Sequence, residues 1–258
     1  MTDNLAGRVA VVLGGTGTIG RAIARSLASL QAKMVVVCRH GSRGMEVVQQ
    51  VALHSANRDI DLRVVDLARP VEARVFALEL LDGYPEIDIV VDAVSDDSLE
   101  AGKAFRGNVL GPFLLQNLLV PSLTRRAGRI VVLAAHQAGG LDLEHLHGVG
   151  EPRRRMLGYQ QARHMLALAR ARRTRGRVAV HVVHPGTVTA ERFSDLDPAQ
   201  PLVTPERAAD TPAWVAWSPV VAGVSGAYWF DRCEVPSRFD DPAAQDALWA
   251  ACESLVSV

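Results

Sequence analysis

A run of β-branched residues ends at Leu13, and apolar residues at helical spacing follow it. Between them lies Gly14-Gly-Thr-Gly-Thr-Ile-Gly20. Glycine permits a tight turn and lets backbone approach a pyrophosphate, whose charge then rests on the N-terminus of the following helix. A ligand-free glycine turn is the competing reading. Its place between a strand and a helix favours dinucleotide binding. The next strand ends in Cys38-Arg39-His40-Gly41-Ser42-Arg43. An acid there would take the ribose 2′-hydroxyl of NAD. Two guanidinium groups stand there instead, and their forks match a phosphate. NADP(H) is therefore expected in preference to NAD(H), with solvated surface charges as the alternative reading of Arg39 and Arg43.

Other chemistry-bearing residues carry less. His136, Asp142, Glu144, His145 and His147 gather in one stretch, but histidines two apart diverge on a strand and align poorly on a helix. No metal site is expected. Arg153-Arg154-Arg155 reads as a solvated face before a helix, or as a contact for an anionic substrate. Trp214 and Trp217, three apart, read as one helix face in the core or at a subunit contact. Three cysteines without paired spacing argue against a disulfide framework or a zinc site.

The 258 residues carry 28 basic and 28 acidic side chains, so the formal net charge is zero. That balance leaves no electrostatic footprint for nucleic acid or an anionic membrane. Only two of the basic residues are lysines, Lys33 and Lys103, a bias that suits a GC-rich bacterial genome and weakens any argument from a lysine replaced by arginine. Apolar residues make up 48% and mean hydropathy is +0.11, as for a packed globule. No apolar run reaches the roughly 18 residues of a membrane span. The start, Met-Thr-Asp-Asn-Leu-Ala, resembles no signal peptide. A cytoplasmic protein is expected.

Short apolar runs alternate with amphipathic stretches along the chain. Strands are expected at Val9–Leu13, Met34–Cys38, Leu62–Val65, Ile87–Val91, Arg129–Leu133, Val178–Val183 and Gly226–Phe230. Helices are expected from Ile19 to Leu27 and at Glu46–Leu53, Val71–Leu81, Phe113–Leu123, Met156–Arg173 and Pro242–Leu255. The alternation implies an α/β fold, one doubly wound parallel sheet of about seven strands over residues 1–258, flanked by helices. Ligands in such sheets bind beyond the carboxyl ends of the strands.

The glycine turn, Cys38-Arg39, Asp66-Leu67, Asn108-Val-Leu-Gly-Pro-Phe, Gly128-Arg-Ile-Val-Val, Tyr159-Gln-Gln-Ala-Arg163 and His184-Pro-Gly-Thr-Val188 fall in one order. In that order they resemble the short-chain dehydrogenase/reductases, with their Rossmann-type domain. His184-Pro-Gly-Thr-Val188, Ser225-Gly-Ala-Tyr-Trp-Phe230 and Leu141-Asp-Leu-Glu-His-Leu146 are similar to the retinol-dehydrogenase-like branch. The resemblance implies Tyr159 as proton donor to a carbonyl, Asn108 as anchor of a proton relay and Arg163 in the place of a lysine that assists the tyrosine. It implies cofactor contacts from Gly14, Thr16, Gly17, Thr18, Ile19, Gly20, Arg39 and Arg43. Further contacts would come from Asp66, Leu67, Ala93, Tyr159, Arg163, Pro185, Gly186 and Val188. Residues 136–158 and 188–217 would form the substrate cleft.

Several positions depart from the family pattern. Ala134-Ala135 stand where a serine pair is expected, so Ala135 offers no hydroxyl to a carbonyl. Asp92-Ala-Val-Ser95 replaces an asparagine-rich turn, and arginine does not release a proton as lysine can. Tyr159 is expected on an exposed helix face. The expected activity is NADP(H)-dependent reduction of a small carbonyl or imine by a homodimer or homotetramer. A non-redox enzyme (cyclase, dehydratase or isomerase) and a cofactor-binding protein without turnover stay open.

Overall fold

The computed structural model describes residues 4–95, 100–135, 138–148, 150–188 and 202–256. The first half runs β1 (Val9–Leu13), α1 (Thr18–Ser29), β2 (Lys33–Cys38), α2 (Gly41–Ser55), β3 (Ile60–Val64), α3 (Pro70–Gly83) and β4 (Ile89–Asp92). A continuous helical run follows, made of α4 (Ala101–Phe105), a π-helical turn at Arg106–Leu110 and α5 (Gly111–Arg125). The rest is β5 (Arg129–Leu133), α6 (Pro152–Thr174), β6 (Ala179–His184), β7 (Thr187–Val188), β8 (Leu202–Val203), α7 (Pro205–Trp217), β9 (Tyr228–Phe230), β10 (Cys233–Val235) and α8 (Pro242–Val256).

Among the described residues eight strands form one sheet, in the order β10-β9-β6-β5-β4-β1-β2-β3. All its pairings are parallel except β9 with β10. The order reverses between β1 and β4, which opens a crevice at their carboxyl ends. Alternate strand residues feed two cores. Val11, Leu13, Val35 and Val37 pack toward α3, α5, α6 and α8. Ala10, Val12, Met34 and Val36 pack toward α1, α2 and α7. Both faces are covered, so the strands read as continuous apolar runs, and each fully buried Val, Leu or Ile contributes roughly 1.5–3 kcal/mol.

The strand β10 exceeds the seven that sequence pattern suggests. It is joined to β9 by Asp231 and Arg232, both at positive φ (49° and 60°). That is the type I′ geometry that fits the twist of a hairpin, and neither residue is the glycine that would signal it. The Arg232 N–H donates to Thr211 Oγ1 at 3.1 Å and its guanidinium pairs with Asp210, so α7 holds the turn.

The helical run through residues 101–125 starts well before the expected Phe113. At its centre the Gly111 N–H donates to Arg106 O, five residues back. Pro112 has no N–H to give the Asn108 carbonyl four residues earlier, and the wider π turn accommodates it. Gly111 is required here: a Cβ would collide with the Leu67 carbonyl.

Candidate active site

The glycine turn sits at the crevice. Gly14 has φ +73°, and a Cβ on it would lie 2.7 Å from Ala93 O, so the β1 and β4 turns touch backbone to backbone. Ala93 N–H donates to Leu13 O at 3.0 Å and fixes that contact. The Gly17 N–H donates to Gly14 O at 2.9 Å, and Gly17 then caps α1 with no side-chain bond and no acid in the first turn. The first N–H bonded within the helix is that of Arg21, to Gly17 O. Thr18, Ile19 and Gly20 thus present amide donors that the helix itself does not use. A Cβ on Gly20 would strike Gly14 O, while Thr16 is half-buried and Thr18 exposed beside it. This cradle fits a pyrophosphate.

Arg39 is exposed just past β2 and lines a cleft of about 510 Å³ with Val65, Asp66, Ala68, Arg69, Lys103 and Arg106. Arg43, in the first turn of α2, is exposed. Two members of this wall are already engaged. Arg69 pairs with Glu72 at 2.6 Å, and Arg106 Nε donates to Ala68 O at 3.2 Å. Asp66 Oδ1 accepts the Ala68 N–H at 3.0 Å, which orders the turn beneath the cleft, and Leu67 is buried under Gly111. Past β6, Pro185, Gly186 and Val188 are half-buried. Gly186 (φ +84°) closes against Val203, and Val188 pairs with Val203 in the short β7–β8 ladder.

Arg163 and Asp92 occupy the floor of the crevice. Arg163 Nη2 lies 2.9 Å from Asp92 Oδ1 and donates to the Asp92 carbonyl at 2.7 Å, while Nη1 donates to Val94 O. Asp92 also accepts from the Val94 N–H at 3.2 Å and from Gln116 Nε2 at 2.8 Å. Burial pushes its carboxyl up, opposed by Arg163, the Val94 N–H and Gln116. The polar chain continues inward. Arg170 Nη1 donates to Gln116 Oε1 at 2.8 Å, and its Nε reaches Asn117 Oδ1 at 3.0 Å. The Arg170 guanidinium sits 5.5 Å from the Phe113 ring centre and 5.3 Å from that of Trp249. Burial brings it down to about 9. Arg163 and Arg170 are seven apart, hence on one face of α6. That spacing was the available signal for the network.

Tyr159 is 2% exposed rather than on an open helix face. Its ring centre is 5.7 Å from that of Phe105, and its hydroxyl lies 2.5 Å from His147 O and 3.2 Å from Ala101 O. Burial pushes the phenol up, opposed by Arg155. Asn108 is fully buried in the π turn, its Nδ2 donating to Ala104 O at 2.8 Å. Such turns interrupt α-helices at functional sites more often than elsewhere. After β5, the Ala135 N–H donates to Gln160 Oε1 at 3.3 Å. His136 and Gln137 lie outside the described residues, as does the part of the 188–217 cleft segment from 189 to 201. Its remainder, α7, is packed mainly on α1. Gln116 is a neighbour of the site that sequence reasoning missed, whereas Arg155 was singled out there, as part of a solvated face or a contact for an anionic substrate.

The donor set suits a nicotinamide dinucleotide: a glycine cradle, an exposed arginine in a cleft at the end of β2, and Arg163. The Nε of Arg163 is buried without a hydrogen-bond partner among the described residues. No helix among those residues is long and apolar enough to cross a membrane.

Comparison with known proteins agrees with this geometry. The family model described as short chain dehydrogenase matches residues 8–143. Dehydrogenase/reductase SDR family member 13 of Bos taurus is 32% identical over 282 residues, which cover 99% of this chain and 74% of that protein. Retinol dehydrogenase 14 of Mus musculus is 28% identical, covering 98% of this chain and 86% of that one. Polyprenol dehydrogenase of Mus musculus is 31% identical over 95% of this chain and 82% of its own length. Among solved structures, Pseudomonas aeruginosa RhlG in complex with NADP superposes with a TM-score of 0.72 at 23% identity, over 88% of this chain and 96% of that one. L-Sorbose reductase from Gluconobacter frateurii, with NADPH and L-sorbose, gives 0.74 at 20% identity, over 89% and 97%. These two likenesses carry the fold. The family match and the curated relatives carry more: the chain belongs to the short-chain dehydrogenase/reductase family of oxidoreductases, in its retinol-dehydrogenase-like branch.

Proposed function

We propose that this chain is an NADP(H)-dependent oxidoreductase that reduces a small carbonyl or imine compound. The observation that carries the cofactor choice is Arg39. It stands exposed in the cleft past β2, where an acid would favour NAD(H). Gly14, Thr16, Gly17, Thr18, Ile19 and Gly20 would hold the pyrophosphate on the α1 amides. Arg39 and Arg43 would take the 2′-phosphate, with Asp66, Leu67 and Ala93 along the adenosine half. Pro185, Gly186 and Val188 would border the nicotinamide. The bound nicotinamide supplies or accepts hydride.

The chain's own groups then handle the proton. In this reading Tyr159 gives it to the substrate, and Asn108 anchors its path in the π turn. Arg163 adds fixed charge and its spare Nε beside the ribose. Ala135 cannot hydrogen-bond a carbonyl, so an imine suits the site better, because a protonated imine already draws hydride. The segment holding His147 must swing from the Tyr159 hydroxyl as substrate enters, a gating motion that lids commonly make. The enzyme is proposed to be a cytoplasmic homodimer or homotetramer acting on a small molecule, with no nucleic-acid or membrane partner.

One observation favours a second reading. The Tyr159 hydroxyl is closed off by two carbonyls, and Arg163 is committed to Asp92. A cofactor-binding protein without turnover, or a non-redox enzyme on this scaffold, would tolerate both. Titration of cofactor-stripped protein with NADPH and NADH, followed by turnover against carbonyl and imine panels, separates these readings. Tight NADPH binding with substrate-dependent oxidation is expected. Binding without oxidation selects the second reading, and no binding of either cofactor overturns the reductase and leaves a repurposed, non-redox or inactive fold.

A further inference from the structure

The two lysines of the chain have different surroundings. Lys33 is occupied: its ammonium lies 3.4 Å from Asp59 Oδ1 and 5.4 Å from the centre of the Tyr84 ring. Lys103, half-buried in the middle of α4, takes no hydrogen bond or ion pair among the described residues. Its side chain lines the same cleft of about 510 Å³ that Arg39 enters from the end of β2. The other charges of that cleft are committed. Arg69 pairs with Glu72 at 2.6 Å. Arg106, three residues after Lys103 and on the same helix face, donates to Ala68 O at 3.2 Å and lies 3.7 Å from Glu100. The Asp66 carboxylate accepts the Ala68 N–H at 3.0 Å, and that of Glu72 accepts the Asp66 N–H at 3.3 Å. In the lining four cationic side chains face two carboxylates, so two positive charges are left over. A phosphate monoester carries a charge of about −1.5 to −2 at neutral pH.

We infer that Lys103 is a specificity-determining residue for the cofactor, reaching from α4 to share the 2′-phosphate with Arg39. This rests on the proposed NADP(H) dependence. The two arms differ in kind. The Arg39 guanidinium offers a rigid fork for two phosphate oxygens, whereas the Lys103 ammonium is a compact charge on a flexible stem that follows the third. Arg106, tied to the Ala68 backbone, holds the shared helix face of α4 against the cleft. The choice between NADPH and NADH is thereby divided between the end of β2 and a helix far from it in the sequence.

The test is calorimetric titration of the full-length, cofactor-free protein with adenosine 2′,5′-bisphosphate and with 5′-AMP, which differ only in the 2′-phosphate. The unaltered protein is expected to bind the bisphosphate more tightly. Lys103→Gln should weaken the bisphosphate by roughly tenfold, the effect of losing one charged hydrogen bond, and leave 5′-AMP unchanged. Lys103→Arg, which keeps the charge, should retain most of the preference. Full bisphosphate affinity in Lys103→Gln overturns the inference. So does an equal loss for both ligands, which would make Lys103 a support of α4 and no reader of the phosphate. Arg39→Ala separates the two levels of the argument. If it loses the bisphosphate while Lys103→Gln does not, the NADP(H) reading stands and the role of Lys103 falls. If the unaltered protein binds both ligands equally, the NADP(H) reading fails and the inference with it.

Discussion

Asp92 Oδ1 and Arg163 Nη2 lie 2.9 Å apart with their side chains 1% and 3% exposed, so the crevice floor is a buried ion pair between the end of β4 and the middle of α6. Removing one partner of such a pair strands the other's charge, which costs about 3–5 kcal/mol. Arg163→Met and Asp92→Leu should each destabilise by that order. The double variant should lose clearly less than the sum. Urea unfolding of the four proteins checks this, and strict additivity would mean that the two side chains do not interact.

Tyr159→Phe should lower turnover by roughly 10²–10⁴-fold, the usual contribution of a positioned proton donor. NADPH affinity should stay nearly unchanged. The variant also loses the bond to His147 O, for about 1 kcal/mol of stability. Steady-state kinetics beside a binding titration resolve the two effects, and unaltered turnover would remove Tyr159 from the mechanism.

Arg39→Ala should weaken NADPH by roughly ten- to a hundredfold, from about 1.5–3 kcal/mol for hydrogen bonds to a charged group. NADH should change little. Calorimetric titration with both cofactors decides the matter, and equal losses would place Arg39 away from the 2′-phosphate.

His164 and His181 are buried among aromatic rings. His164 Nε2 lies 3.1 Å from Ser237 Oγ, and the Trp229 indole N–H donates to His181 Nδ1 at 3.1 Å. Burial lowers both from the usual 6.5 to about 4, aided by Arg238 and Arg129 respectively. The unfolded chain therefore binds protons that the folded chain refuses. The stability these residues confer is full above pH 6.5 and is lost as pH falls toward 4. At one pKa unit per 1.36 kcal/mol, the loss is of order 3 kcal/mol for each. Melting temperature measured across that window should fall steeply, and replacing His181 by leucine should flatten the slope.

The sheet and the glycine cradle were legible in the sequence because both follow local rules. A buried parallel strand needs an apolar run, and the backbone contact of Gly14 with Ala93 excludes a side chain. The β9–β10 hairpin escaped notice because Asp231-Arg232 adopts a glycine-type turn without glycine, held by α7 from outside. The early start of the 101–125 run was masked by Lys103, Arg106 and Asn108, polar residues that face the cleft or fill the π turn. Asp92 and Arg163 were each noticeable alone. Their pairing needs β4 and α6 side by side, and no local pattern states that. Tyr159 was expected in the open because the 138–148 segment that covers it has no periodicity to announce its path.

The polar chain from Asp92 through Gln116 to Arg170 ends beneath Trp249, in α8. Arg172 and Arg173 fasten that helix through Asp246, at 2.7 and 2.8 Å. The carboxyl-terminal turns are thus a stopper on a line of buried charge that reaches the crevice floor. Shortening the protein ahead of Trp249 would let water in at Arg170 and loosen Asp92 from the far end.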